Sequence, residues 1–267
     1  MVPFIKAHAC GNDFLIVEDA LAQGRYAELA RKLCARNTGI GADGVEYVAA
    51  KQDGAITILL FNADGSEAEI SGNGTRCVAA WFAYSEGRKE MEIATAAGLR
   101  HCRVMAQQGS TLQMETEMGV PQVRPRTLRL ASGMEVPGAE VSVGNPHFVI
   151  FVETEDFSVA GLSWRQLGDE VCQHRDFPNG TNVEFVRGMD KQGIAFRVYE
   201  RGVGPTLSSG TGSCASAVAS IALRGAEPTL TVIAEGGEQT VHWPGAGQSI
   251  LLTGPATVLA RGEAYLA

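Results

Sequence analysis

Phe61-Asn62-Ala63-Asp64-Gly65, leading to Ser71-Gly72-Asn73-Gly74-Thr75, shares its plan with Tyr199-Glu200-Arg201-Gly202, leading to Ser209-Gly210-Thr211-Gly212-Ser213. In each, a β-rich run ends in an aromatic residue and a polar residue follows. Ten residues after the aromatic comes Ser-Gly-(Asn/Thr)-Gly-(Thr/Ser), and an Ala-rich run begins. The two serines are 138 residues apart, about half of the 267-residue chain. A second pair of segments keeps nearly the same offset: Gly11-Asn12-Asp13-Phe14 and Gly144-Asn145-Pro146-His147-Phe148. Two motifs repeated in the same order imply an internal duplication. The expected architecture is two topologically similar halves, with a ligand cleft between them. The break is expected near 107–120. The domains are read as 1–115 plus 256–267 for the first half, the last dozen residues returning to it, and 116–255 for the second.

Around these motifs the chain is rich in short β-forming runs. Ile56–Phe61, Met91–Thr95, Thr111–Glu115, Val141–Val143, Phe148–Val152, Asn182–Val186, Ile194–Tyr199 and Thr229–Ile233 read as strands. Tyr26–Cys34 has helical spacing. Arg76–Tyr84 and Cys214–Leu223 are Ala-rich and lack alternation, which predicts buried helices. The class is therefore mixed, α/β or α+β.

Composition excludes several functions. Hydrophobic residues are 45% and charged residues 19%, the make-up of a folded globular chain. Thirty Asp and Glu against 22 Lys and Arg leave a net charge of −8, unsuited to general nucleic-acid or anionic-membrane binding. No apolar run reaches the ~18 residues of a membrane span, and the N-terminus lacks a signal-peptide pattern. The six cysteines form no CxxC pair and the five histidines are scattered. Neither a disulfide framework nor a metal site is expected, and the reading is a reducing, cytoplasmic setting.

Each Ser-Gly-x-Gly loop opens a helix, where unpaired backbone N–H groups and the helix dipole favour a carboxylate or phosphate. For one such loop, a plain Ser N-cap explains the pattern equally well. Two matching loops suit a ligand gripped from both sides and two-faced proton chemistry.

Here the residues resemble a known family, the diaminopimelate epimerases. The resemblance covers essentially the whole chain. It rests on Lys6-Ala-His8-Ala-Cys-Gly11-Asn12-Asp13-Phe14, Asn37-Thr-Gly-Ile-Gly41-Ala-Asp43-Gly44, Phe61-Asn62-Ala-Asp64-Gly65-Ser66 and Gly72-Asn73-Gly74-Thr-Arg76-Cys77. It continues with Gly144-Asn145-Pro146-His147, Asn182-Val-Glu-Phe185, and Glu200-Arg201-Gly202-Val-Gly204-Pro-Thr206 followed by Gly210-Thr211-Gly212. The resemblance implies two similar domains, each a sheet wrapped around a central helix. It implies cofactor-independent, two-base inversion of an amino-acid α-carbon, converting LL- to meso-diaminopimelate for lysine and peptidoglycan precursors. It also implies a homodimer.

By the same resemblance, Asn12, Asn62, Asn145 and Asn182 are substrate-binding asparagines, and Gly72-Asn73 and Gly210-Thr211 supply backbone donors. Glu200 and Arg201 flank the ammonium and carboxylate ends. His147 and Glu200 are polar partners near the two proton-transferring positions, His147 near one serine and Glu200 near the other, where each is a candidate to take the serine proton. Asn37, Asn179, Asp13 and Asp64 read as turn or cap residues.

The two family cysteines stand here as Ser71 and Ser209. An alkyl hydroxyl is about 5 pKa units above a thiol, on the order of 6–7 kcal/mol to reach the anion. Serine acts as a base when another group takes its proton. The readings left open are a working epimerase with a serine pair, an impaired or engineered amino-acid-binding homologue lacking both thiols, and a racemase of another amino acid. Cys77 and Cys214, five to six residues into each motif, are expected inside the packing rather than as substitutes. Cys10, in the Asn12 loop, is a minor candidate for ligand contact.

Overall fold

The computed structural model describes residues 1–50 and 54–265, so Leu266 and Ala267, at the end of the expected returning segment, lie outside the described residues. The chain divides into two compact units, Met1–Glu117 with Thr253–Ala267, and Met118–Leu252.

The first unit runs β1 (Val2–Ala9), β2 (Asn12–Glu18), α1 (Tyr26–Cys34), β3 (Gly44–Ala50), β4 (Ile56–Asn62), β5 (Glu67–Ala68), α2 (Gly72–Glu86), β6 (Glu90–Thr95), β7 (Gly98–Gln108) and β8 (Thr111–Gly119). The second runs β9 (Gln122–Arg129), β10 (Glu135–Ser142), β11 (Pro146–Phe151), α3 (Trp164–Cys172), β12 (Asn182–Gly188), β13 (Gly193–Glu200), β14 (Gly204–Thr206), α4 (Gly210–Arg224), β15 (Thr229–Ala234) and β16 (Gly237–His242). The last strand, β17 (Ile250–Ala264), pairs with β1 of the first unit.

The pairing plan repeats. β2 is parallel to β3, as β11 is to β12. β3 is antiparallel to β4, as β12 is to β13. β4 carries β5 and, in parallel, β6; β13 carries β14 and, in parallel, β15. The registers also correspond: Phe14 pairs with Gly44, and His147 pairs with Asn182.

Each sheet wraps a helix. Eleven α2 residues between Gly72 and Ala83 are buried, Cys77 through Ala80 among them. The helix packs into a core with Ile5 and Ala7 of β1, Ile56, Ile58 and Leu60 of β4, and Ile93 of β6. Such a helix needs small residues on every face, because strands approach it from all round. α4 is built alike, with buried Ala215, Ala217 and Ala219. The outer face of the first sheet is covered by α1, where Leu29 and Leu33 meet Val45, Tyr47 and Phe61. The alternation of β3 thus sends Val45 and Tyr47 toward α1, and Glu46 and Val48 toward α2.

Both central helices begin at a serine cap and stop at a left-handed glycine, Gly87 at φ 73° and Gly225 at φ 68°. The expected Ala-rich helices begin four residues earlier than their apolar runs, because the glycine-rich loops are themselves their first turns. The sequence reading did not anticipate α3, whose interior Gly168 is a poor helix former. Close packing explains that glycine: a Cβ there would lie 2.8 Å from Cβ of Tyr199. Among the described residues, no helix is long and apolar enough to cross a membrane.

Candidate active site

The candidate residues fall into one cluster in each unit. In the first, Ser71 is extended (φ −123°, ψ 121°) and its Oγ accepts the Gly74 N–H at 3.0 Å. The earlier N–H groups of this turn have no carbonyl one turn below them to bond. Gly72 and Asn73, the two predicted backbone donors, occupy these positions.

A polar chain, buried from Arg76 to Asn12 and opening to solvent at Arg36, leads away from this turn. Arg76 Nη2 donates to Asn73 Oδ1 at 2.7 Å, and Asn73 Nδ2 donates to Asn12 Oδ1 at 3.2 Å. Asn12 Nδ2 donates to Asp43 at 2.8 Å. Arg36 bridges Asp43 at 2.7 Å and Asp13 at 3.0 Å, and Lys6 meets Asp13 at 3.0 Å. Both ends of the Asn12 amide are thus held by protein groups, which fixes its orientation and that of Asn73. Asn62 ends β4 and donates to Ser66 Oγ at 3.0 Å, outside this chain of hydrogen bonds.

The aspartates of this network have opposite tendencies. Burial disfavours the Asp13 carboxylate, but Lys6 and Arg36 outweigh it and hold the group below the ordinary carboxylate value. At Asp43, burial and then the Asp13 charge win over the Asn12 hydrogen bond and Arg36, and the group is raised. Asp13 was expected to be a turn residue; it is an ion-paired network residue instead, because β1 and β2 bring Lys6 beside it. Asp64 is a turn residue, accepting from the Ser66 N–H at 2.8 Å.

In the second unit Ser209 caps α4, its Oγ accepting the Gly212 N–H at 3.2 Å; Gly210 and Thr211 open the helix. His147 is fully buried. Its Nδ1 lies 2.7 Å from Glu184 Oε1 and its Nε2 lies 2.8 Å from Asn145 Oδ1. Asn145 Nδ2 donates to Thr211 Oγ1 at 3.3 Å, so the chain Glu184–His147–Asn145–Thr211 ends in the first turn of α4. Asn182 donates to the Pro146 carbonyl at 3.0 Å and accepts the Arg201 N–H at 3.0 Å. Glu200 accepts from the Thr206 hydroxyl. His147 and Glu200 both belong to the half that carries Ser209.

The Ser209 turn is further clamped by a residue the sequence reading missed. Gln239 Nε2 donates to Ser208 Oγ at 3.0 Å and to Ser213 Oγ at 3.2 Å, while Ser213 donates to the Ser209 carbonyl at 2.8 Å.

Two other missed residues are Glu46 and Glu184. They carry the same 138-residue offset as the serines, and that offset was the available signal. Both are fully buried and both press on the glycine three residues after the serine. A Cβ on Gly212 would lie 2.9 Å from Glu184 Oε1 and 3.2 Å from Ser209 Oγ. A Cβ on Gly74 would collide with Glu46 Oε1 and lie 3.2 Å from Ser71 Cβ. Only glycine permits this approach.

The two glutamates differ in their partners. Glu184 has His147. At the corresponding register the first half has Phe14, and among the described residues neither Glu46 oxygen has a hydrogen-bond partner. Burial pushes Glu46 up to about 8. Burial also raises Glu184, against the opposing pull of His147.

Cys77 and Cys214 are wholly buried inside the helices, and burial pushes the Cys77 thiol far up. Cys10 is buried at the β1–β2 turn, with φ 51°. Among the described residues, no three His, Cys, Asp or Glu side chains converge as a metal-ligand set.

The family described as diaminopimelate epimerase matches this chain twice, over residues 4–123 and 140–259. The chain is 34% identical to the diaminopimelate epimerase of Moorella thermoacetica, covering 97% of this chain and 98% of that protein. It is 36% identical to diaminopimelate epimerase 1 of a Nostoc species, covering 98% and 99%. Among solved structures it is similar to a probable proline racemase from Agrobacterium radiobacter, with TM-score 0.74, 16% identity and coverage of 100% and 94%. The Bacillus anthracis phenazine biosynthesis protein of the PhzF family matches with TM-score 0.74, 16% identity and full coverage of both chains. These two structural likenesses concern the fold: a mixed α/β protein of two repeated halves.

Proposed function

The chain belongs to the diaminopimelate epimerase family, and from that premise we propose that it inverts an α-carbon of diaminopimelate by two-base chemistry without a cofactor. The observation that carries this reading is the matched pair of capped helix N-termini, with Ser71 and Ser209 at the positions where the resemblance places the family's thiols. One group takes the α-proton and the other returns a proton to the opposite face. The N–H groups at Gly72–Asn73 and Gly210–Thr211 bind the α-carboxylate and stabilise the charge that develops on it. Asn12, Asn62, Asn145 and Asn182 orient the zwitterion, directly or by holding neighbouring groups. Glu200 and Arg201 serve the ammonium and carboxylate ends, and His147 exchanges protons in the second half. The reading includes a homodimer, a cytoplasmic location and a place in lysine and peptidoglycan precursor synthesis.

The serine hydroxyls favour one second reading: a protein that binds the amino acid without inverting it. Loss of the α-proton of LL- or meso-diaminopimelate in D₂O, followed by NMR, separates the two. The doubly restored Ser71→Cys/Ser209→Cys variant is run beside the serine protein. Exchange and isomer interconversion by both support the epimerase reading. Exchange by the restored variant alone supports an epimerase scaffold that binds without turnover. Absence of exchange from both, with binding retained, overturns the proposal.

A further inference from the structure

We propose that Glu46 is the proton store behind Ser71, so that in this chain the serine relays a proton rather than holding the charge itself. The inference rests on the epimerase reading above. Its warrant is the placement of a buried carboxyl with no hydrogen-bond partner against the turn that Ser71 caps. Glu46 Oε1 and Ser71 Cβ crowd the same face of Gly74, on the core side of the α2 N-terminus. An unpartnered buried carboxyl costs stability. Its counterpart, Glu184, presses on Gly212 beside Ser209 Oγ and continues into His147. A carboxyl thus stands beside the turn of each serine, bonded to His147 at Glu184 and without a hydrogen-bond partner at Glu46.

The step balances as follows. The step needs the Ser71 hydroxyl to turn its proton onto Glu46, a bond absent from the resting structure; the substrate Cα–H bond then breaks and an Oγ–H bond forms at Ser71, while the original Ser71 Oγ–H bond breaks and an Oε–H bond forms at Glu46. The C–H electron pair stays on the substrate, spread into its carboxylate. In the reverse direction the Glu46 proton returns through Ser71. No free alkoxide is formed, which removes the large gap in acidity between hydroxyl and thiol. A carboxyl raised by burial is a better match for this task than an ordinary glutamate. Burial alone raises Glu46; Cys77 of α2 feels Glu46 together with Arg76, Asp13 and Cys10, and Asp13 is itself paired with Lys6 and Arg36. Glu46 acts through Ser71 and is a positioning residue, not one that touches substrate.

The test is a double-mutant comparison using α-proton exchange from diaminopimelate in D₂O across pH 6 to 9. Glu46→Gln is made in the serine protein and, separately, beside Ser71→Cys. The proposal expects the serine protein to lose about ten-fold or more of its exchange with Glu46→Gln, together with the limb of its pH profile near 8. It expects Ser71→Cys to make the glutamine nearly harmless, because a thiol stores its own proton. An equal loss in both backgrounds assigns Glu46 a structural role and overturns the proposal, as does no loss in the serine protein. A serine protein that exchanges nothing while Ser71→Cys/Ser209→Cys exchanges also overturns it, and leaves the epimerase reading of the scaffold standing. No exchange from the restored variant strikes that reading itself.

Discussion

Gly74 and Gly212 show how much one missing side chain decides. Each lets a buried carboxylate-bearing side chain reach the first turn of a central helix, and the approach is closer at Gly74. Gly74→Ala forces Glu46 or the helix to move, and should destabilise by ~1–3 kcal/mol; Gly212→Ala should cost less. Urea unfolding of the two variants checks the order, and equal effects would contradict the packing described. Serine is legible at the same scale, since Ser before a glycine-rich helix start is a preferred cap. The caps themselves contribute: Ser71→Ala and Ser209→Ala should each cost ~1 kcal/mol in the same assay, whatever they do to proton exchange. His147 was visible as a motif residue. Its tie to Glu184 was not, because that tie depends on two parallel strands placing residues 37 positions apart side by side.

Among the elements, α2 and α4 carry most of the design. They are Ala-rich and buried on nearly every face, and their N-termini are aimed by strands that end at Asn62 and Glu200. Their lengths are set by chemistry at both ends, a serine cap and a left-handed glycine. Gly87 and Gly225 have open space around a would-be Cβ, so Gly87→Ala and Gly225→Ala test backbone strain alone. Each should lower stability by about 1 kcal/mol in chemical denaturation. Strand β3 is the element that polarity misreads. In Gly44-Val45-Glu46-Tyr47-Val48 the glutamate would ordinarily mark a solvent face, yet α2 covers that side and α1 covers the other. A strand buried on both faces has no polar alternation to read, which is why β3 escaped the sequence reading and Glu46 with it.

For the molecule as a whole, Glu46 should be visible in the dependence of stability on pH. Its folded value is raised to about 8, above the ordinary 4.5 that the unfolded chain shows. Below 4.5 both states hold the proton and no difference exists. Between 4.5 and about 8 the unfolded chain releases its proton while the folded protein keeps it, so this group lowers stability as pH rises, to a plateau above 8. Glu46→Gln should therefore raise Tm relative to the parent more at pH 8.5 than at pH 5; a gain independent of pH would contradict the unpartnered carboxyl. The sequence by itself determined the duplication, the two serine-opened helices, the mixed class and the family, because these are written in local motifs and their spacing. Tertiary structure alone decided which polar groups are buried together: Asn12 with Asp43 and Asn73, His147 with Glu184, and Glu46 with no hydrogen-bond partner among the described residues. Those pairings follow from strand register and from what packs on each sheet face, and neither is contained in the order of residues along one strand.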